Sequence, residues 1–189
     1  MNNRRIALWI TAAVIIIAAA AAVYYARSGG VSRQASLAPV QAPLRIGDPA
    51  PEFSAATDNG YVDLKTAKSP VFLEVFATWC PHCQRETAII DRLYEQYGSK
   101  VQFVGVSGSN QNMTGNGPSS QQDVLGFVQA FHVQYPVAYD PTLEVAHRYL
   151  QGGFPTMVII GKDKKIAYMT SGEVSYAELN NVIQAVTRP

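Results

Sequence analysis

Cys80 and Cys83 are the only cysteines among 189 residues, and both fall in the run Trp79-Cys80-Pro81-His82-Cys83. Two intervening residues let one thiolate sit at the first turn of a helix with the second sulfur within disulfide reach. The preceding Val71 to Phe76 is apolar and β-prone, interrupted only by Glu74. The following Arg85 to Tyr97 reads as helix, with Ile89, Ile90, Leu93 and Tyr97 recurring at spacings of three and four. A strand that delivers a cysteine pair to a helix start constrains the fold more tightly than any other feature of the chain.

The N-terminus supplies a second constraint. Ile6 to Tyr25 is a run of 20 uncharged residues dominated by Ala, Ile and Val, matching the ~20 residues a helix needs to cross a bilayer. A membrane anchor over residues 1–26 is the expectation. A cleaved signal peptide is the alternative, since its shorter apolar core and small-residue site would also fit the alanine run. Arg4 and Arg5 precede the span while Arg27 and Arg33 follow it, and the α-amino group tips the balance toward the N-terminus inside. Residues 27–45 read as a flexible linker, and residues 46–189 suffice for one ordinary domain. Net charge is +1 with 15% charged residues, and no basic patch points to nucleic acid.

Within that domain, Asp58-Asn59-Gly60 marks a tight turn between two short strands, 53–56 and 61–64. Strands are expected over 70–76, 101–107, 136–139, 156–160 and 166–169. Ser107 to Gln122 reads as a long polar loop, and 124–131 as helix. Asp140-Pro141 is expected to open a helix, with Asp as cap and Pro in the first turn, carrying Leu143, Ala146 and Leu150 on one side. Ser175 with Glu178 three residues on forms a capping box for the last helix, striped by Leu179, Val182, Ile183 and Val186. This order predicts an α/β fold, a mixed central sheet flanked by helices on both faces.

Glu74-Val-Phe-Ala-Thr-Trp-Cys-Pro-His-Cys83, with Gly153-Phe-Pro-Thr156 downstream, resembles the thioredoxin superfamily. The opening Gly47-Asp-Pro-Ala-Pro-Glu-Phe53 and the N-terminal apolar run look like its TlpA/ResA-like branch of extracytoplasmic thiol-disulfide oxidoreductases. The resemblance covers about residues 46 to 187. It implies a thioredoxin-like fold, Cys80 as exposed nucleophile and Cys83 as buried resolving thiol. The orphan N–H groups at a helix N-terminus would favour the Cys80 thiolate. Against redox chemistry, a structural disulfide would rarely join residues three apart at a helix start. A zinc site would need two more ligands, and none stands at a recognisable spacing.

Glu74, six residues before Cys80, occupies the place of the superfamily's buried acid and is the expected proton acceptor for Cys83. The alternative is a glutamate pointing to solvent from an edge strand. Glu86 stands where the branch often carries an acidic residue near the site, though its spacing alone reads as an exposed helix charge. Pro155 is the expected cis-proline, and the backbone of Phe154 would pair with an extended substrate. Trp79 would cover the disulfide or simply pack. His132 and His147 read as surface or packing residues, and Tyr135 and Tyr139 as core or rim.

His82 and Pro81 set the direction of electron flow in tension. A protonated imidazole near Cys80 would stabilise the thiolate and make the disulfide more oxidising. Cys-Pro-His-Cys is also the tetrapeptide of the DsbA-type oxidants. The branch's reductants more often have proline immediately before the second cysteine. The stretch of about 75 residues from Cys80 to Pro155 is too short for the helical insertion of those oxidants and fits the TlpA/ResA-like branch. The expected function is thiol-disulfide exchange with cysteines of exported proteins, as a reductant, for example in cytochrome c maturation. A membrane or exported partner would recharge the pair. No organic cofactor or metal is implied, because the dithiol carries the electrons.

Three other readings compete. The same residues could introduce disulfides. A thiol peroxidase shares the fold, but its Pro-x-x-x-Thr-x-x-Cys signature is broken here, with Leu73 seven residues before Cys80 and Phe76 seven before Cys83. A copper-handling module would use the two thiolates and a histidine.

Overall fold

The computed structural model describes residues 14–24 and 43–188. The chain divides into two compact units, Met1–Gln41 and Ala42–Pro189. In the first, residues 14–24 form helix α1, whose side chains are exposed. The rest of the apolar run lies outside the described residues. Among the described residues, no helix is long and apolar enough to cross a membrane.

The second unit follows β1 (Ser54–Thr57), β2 (Gly60–Asp63), β3 (Val71–Phe76), α2 (Pro81–Tyr97), β4 (Gln102–Ser107), α3 (Gln121–Phe131), β5 (Val137–Tyr139), α4 (Glu144–Tyr149), β6 (Thr156–Ile160), β7 (Ile166–Ser171) and α5 (Tyr176–Thr187). Seven strands form one sheet in the order β2-β1-β5-β4-β3-β6-β7. β3, β4 and β5 run parallel, whereas β6 and β7 on one side and β1 and β2 on the other pair antiparallel. The expected mixed sheet is present, with β3 flanked by β4 and β6.

Strand periodicity splits the core in two. Phe72, Phe76, Phe103, Met157 and Ile159 pack with Ile90 and Leu93 of α2, Phe127 of α3 and Ile183 of α5. Leu73, Val75, Val104, Val106 and Val158 point the other way, onto Phe53, Leu64 and Tyr149 of α4. All six residues of β3 are buried, as a strand covered on both faces requires. Glu74 shares the α2 face with Phe72 and Phe76 by the two-residue period.

The Asp140-Pro141 expectation is corrected. The helix starts at Glu144, after a turn in which Leu143 takes φ 55°. Asp140 still caps it, because its carboxylate accepts the Val145 N–H at 2.8 Å. The Pro141 ring therefore lies in the turn, and the buried stripe is Val145, Ala146 and Tyr149. Helix α3 begins three residues earlier than expected, where Ser120 Oγ accepts the Asp123 N–H. Only half of the last capping box forms. Ser175 Oγ accepts the Glu178 N–H, while the Glu178 carboxylate takes the Tyr168 hydroxyl at 2.7 Å.

Candidate active site

Helix α2 starts just past the end of β3. Cys80 is its N-cap residue, in extended backbone (φ −80°, ψ 118°), with Pro81 following in the first turn. Proline there costs no hydrogen bond, since that N–H would have no helical partner. No side chain caps the helix and no acidic residue occupies its first turn. The orphan amides are therefore left to whatever charge develops on Cys80.

Cys80 and Cys83 are both free thiols. Cys83 is fully buried and Cys80 is only 4% exposed, which corrects the expectation of an open nucleophile. The cause is local cover. Phe154 places its carbonyl oxygen 3.7 Å from Cys80 Sγ, and its ring meets Trp79 edge to face at 5.9 Å. Trp79 is held by donating its indole N–H to Ser109 Oγ at 2.8 Å. The Phe154–Pro155 peptide bond is cis. Thr156 ties the segment down by donating to the Gly153 carbonyl at 2.8 Å.

Beneath the pair lies Glu74, 1% exposed, so the solvent-facing alternative is excluded. Its Oε2 accepts the Tyr135 hydroxyl at 2.7 Å. Burial pushes its carboxyl up to about 8, the Tyr135 hydrogen bond opposes that rise, and Glu86 and Asp91 add to it. Burial, then the Glu74 charge, raise the Cys83 thiol far above its ordinary value. A thiol so raised needs an internal acceptor before it can act as a nucleophile.

Glu86 corrects a second expectation. It is 1% exposed, because its helix face turns onto the segment before α5, where Val174 N–H points at both carboxylate oxygens at 3.3–3.4 Å. Desolvation lifts it to about 7 against that hydrogen bond, and Glu173 contributes to the rise. His82 is exposed, and its Nδ1 lies 2.6 Å from Glu173 Oε1. Arg85 donates to the same oxygen and comes within 2.9 Å of His82 Nδ1. The Glu173 carboxyl is held below its usual range, first by Arg85 and then by His82.

The structure thus brings together Trp79, Cys80, Pro81, His82, Cys83, Glu74, Phe154 and Pro155, and places Glu86 against the β7–α5 connection. His147 and His132 both lie at exposed positions. Among the described residues, no group of three or more His, Cys, Asp or Glu side chains converges as a metal site. Sequence reasoning missed Tyr135, Arg85 and Glu173. Tyr135 stands 61 residues from Glu74 and Glu173 91 residues from His82, so no spacing links them.

Residues 45–183 match the Redoxin family model. A thiol-disulfide oxidoreductase ResA of Bacillus cereus is 29% identical over 147 residues, covering 76% of this chain and 80% of that protein. A thiol:disulfide interchange protein of the thioredoxin family from Chlorobium tepidum superposes with a TM-score of 0.62 at 23% identity, over 78% of this chain and all of that one. StoA from Bacillus subtilis gives 0.59 at 21% identity, over 72% and 98%. The chain belongs to the Redoxin family, is a TlpA/ResA-like member of the thioredoxin superfamily, and is a thiol-disulfide oxidoreductase.

Proposed function

We propose that the chain works outside the cytoplasm as a membrane-tethered reductant of cysteine pairs in exported proteins, apocytochromes c among them. Residues 1–26 would anchor it, 27–45 tether it, and 46–189 carry the chemistry. The observation that carries this reading is the stacking of three groups in depth: Cys80 at the helix N-cap, Cys83 buried behind it, and Glu74 beneath Cys83.

Cys80 thiolate attacks a substrate disulfide, forming a Cys80–substrate bond and expelling one substrate thiolate. Cys83 then gives its proton to Glu74 and attacks Cys80 Sγ. The Cys80–Cys83 bond forms, the second substrate thiolate leaves, and two electrons have passed from enzyme to substrate. The Phe154 carbonyl and the cis-Pro155 backbone supply an edge for an extended substrate segment. No organic cofactor or metal takes part, and a membrane or exported donor returns the electrons.

The reductive direction is supported by the surroundings of His82. Its imidazole lies beside the Glu173 carboxylate, which would offset a positive charge there of the kind that favours an oxidant. The tetrapeptide Cys-Pro-His-Cys keeps the disulfide-introducing reading as the alternative. The reduction potential of the pair in the full chain, equilibrated against dithiothreitol or glutathione, separates them. A value near or below about −250 mV supports the reductant, and one near about −120 to −180 mV makes the oxidant primary.

A further inference from the structure

Tyr135 lies just ahead of β5, is 2% exposed, and is fixed from both sides. On one side the Gln134 N–H donates to Asp91 Oδ1 at 2.8 Å. On the other, the Pro136 carbonyl accepts the Gly105 N–H at 2.9 Å. The hydroxyl so placed donates to one oxygen of Glu74 only. The other, Oε1, is buried and has no hydrogen-bond partner among the described residues. A buried polar atom without a partner is costly, so its persistence at a reactive centre asks for a use.

β4 makes room for the pair. Gly105 is the register partner of Glu74. A Cβ there would stand 3.0 Å from Tyr135 Cε2, 3.4 Å from Glu74 Oε2 and 3.6 Å from Phe76 Cε1. Glycine in a strand interior weakens the strand and marks a close approach. Here the approaching groups are the Tyr135 ring and the acid beneath the cysteines.

The geometry points to Tyr135 as a positioning residue for thiol-disulfide exchange: by occupying Glu74 Oε2 it holds the carboxyl so that Oε1 receives the proton of Cys83. This rests on Glu74 being the acceptor for Cys83. The proton moves from Cys83 Sγ to Glu74 Oε1, and the Cys83 thiolate attacks Cys80 Sγ. The bond from Cys80 to the substrate sulfur breaks and that sulfur leaves with the electron pair. Tyr135 keeps its own proton throughout, since burial and the Glu74 charge raise it well above the ordinary tyrosine range.

The groups acting electrostatically on Glu74 are Cys83, Glu86 and Asp91 from α2 and Tyr135 from the β5 side. Its strand neighbours Gly105 of β4 and Met157 of β6 bring no charge. The acids and burial disfavour the carboxylate, and the Tyr135 hydroxyl alone among these groups favours it. Removing that hydroxyl therefore leaves less Glu74 in the form that can accept a proton at neutral pH.

The test is stopped-flow reaction of the reduced full chain with dithiobis-nitrobenzoate. Attack by Cys80 releases a first thionitrobenzoate, and resolution by Cys83 releases a second. Tyr135→Phe is expected to slow the second phase about tenfold at pH 7 and to raise its pH midpoint by about one unit. The high-pH plateau and the first phase should stay as in the parent protein, which a general loosening of the core would not allow. Glu74→Gln should remove the midpoint altogether. Gly105→Ala, which pushes the ring off Oε2, should slow the second phase in the same sense and covers the case in which Tyr135→Phe fails to fold. A second phase unchanged in Glu74→Gln overturns the acceptor reading, and this inference with it. A second phase lost in Glu74→Gln but unchanged in Tyr135→Phe or Gly105→Ala overturns the role of Tyr135 alone.

Discussion

His82 Nδ1 lies 2.6 Å from Glu173 Oε1, so the imidazole between the two cysteines has a carboxylate beside it. The pair joins the first turn of α2 to the connection between β7 and α5, and Arg85 closes the triangle. Glu173→Gln is expected to leave the positive charge of Arg85 unopposed near Cys80 and to remove the carboxylate beside His82. The disulfide becomes more oxidising, and only slightly, because the pair is exposed and solvent-screened. His82→Ala moves the potential the other way. Glutathione equilibration of both variants checks this, and a more reducing Glu173→Gln protein would contradict it.

Cys83 is the thiol that must close the cycle. Cys83→Ser should still react with a disulfide substrate through Cys80 and then stop, accumulating a mixed disulfide visible as added mass under non-reducing conditions. Steady-state turnover should fall to background. Cys80→Ser should form no such adduct, and an adduct on Cys83 in that variant would reverse the two roles.

Stability should decline as pH rises. Glu74 at about 8 and Glu86 at about 7 both lie above the ordinary carboxylate value of 4.5. Each holds its proton more tightly folded than unfolded. Their contribution is complete below about pH 4.5 and is lost as pH passes 7 for Glu86 and 8 for Glu74. The slope approaches about 1.4 kcal/mol per pH unit for each proton released. Urea unfolding of the protein and of Glu74→Gln across that range measures it, and the variant should have the flatter profile.

Gly108 follows β4 directly, and its N–H donates to the Phe76 carbonyl at 2.7 Å. A Cβ there would meet Val75 Cγ1 at 2.5 Å, Ala146 Cβ at 3.1 Å and Phe154 Cε1 at 3.2 Å. Val75 sits in a fully buried strand and cannot yield cheaply. Gly108→Ala should cost about 1–3 kcal/mol and push the Phe154 ring outward, uncovering Cys80. Faster alkylation of Cys80 together with a lower Tm is the expected outcome, and an unchanged Tm would mean the strand relaxes.

The helix boundaries show where local signals lead and where they stop. Ser175 and Glu178 mark the start of α5 because a cap is a contact between residues three apart. Asp140-Pro141 misleads for the same reason in reverse. The aspartate does cap a helix, but its partner is the Val145 N–H five residues on, and the turn between them has no distinctive sequence. Glu86 reads as exposed from its spacing because its cover comes from Val174, 88 residues away.

From the sequence alone came the strand that ends in a cysteine pair, the helix that begins there, the mixed α/β order and the acid six residues upstream. All are set by spacing within a few residues and by the hydrophobic period of each element. Tertiary structure decided how closed the pair is, which hydroxyl holds Glu74, and which carboxylate faces His82. Phe154, Tyr135 and Glu173 reach their partners across 61 to 91 residues of chain. Those contacts depend on sheet order, that of Tyr135 also on the bare Cα of Gly105, and no periodicity in the sequence records them.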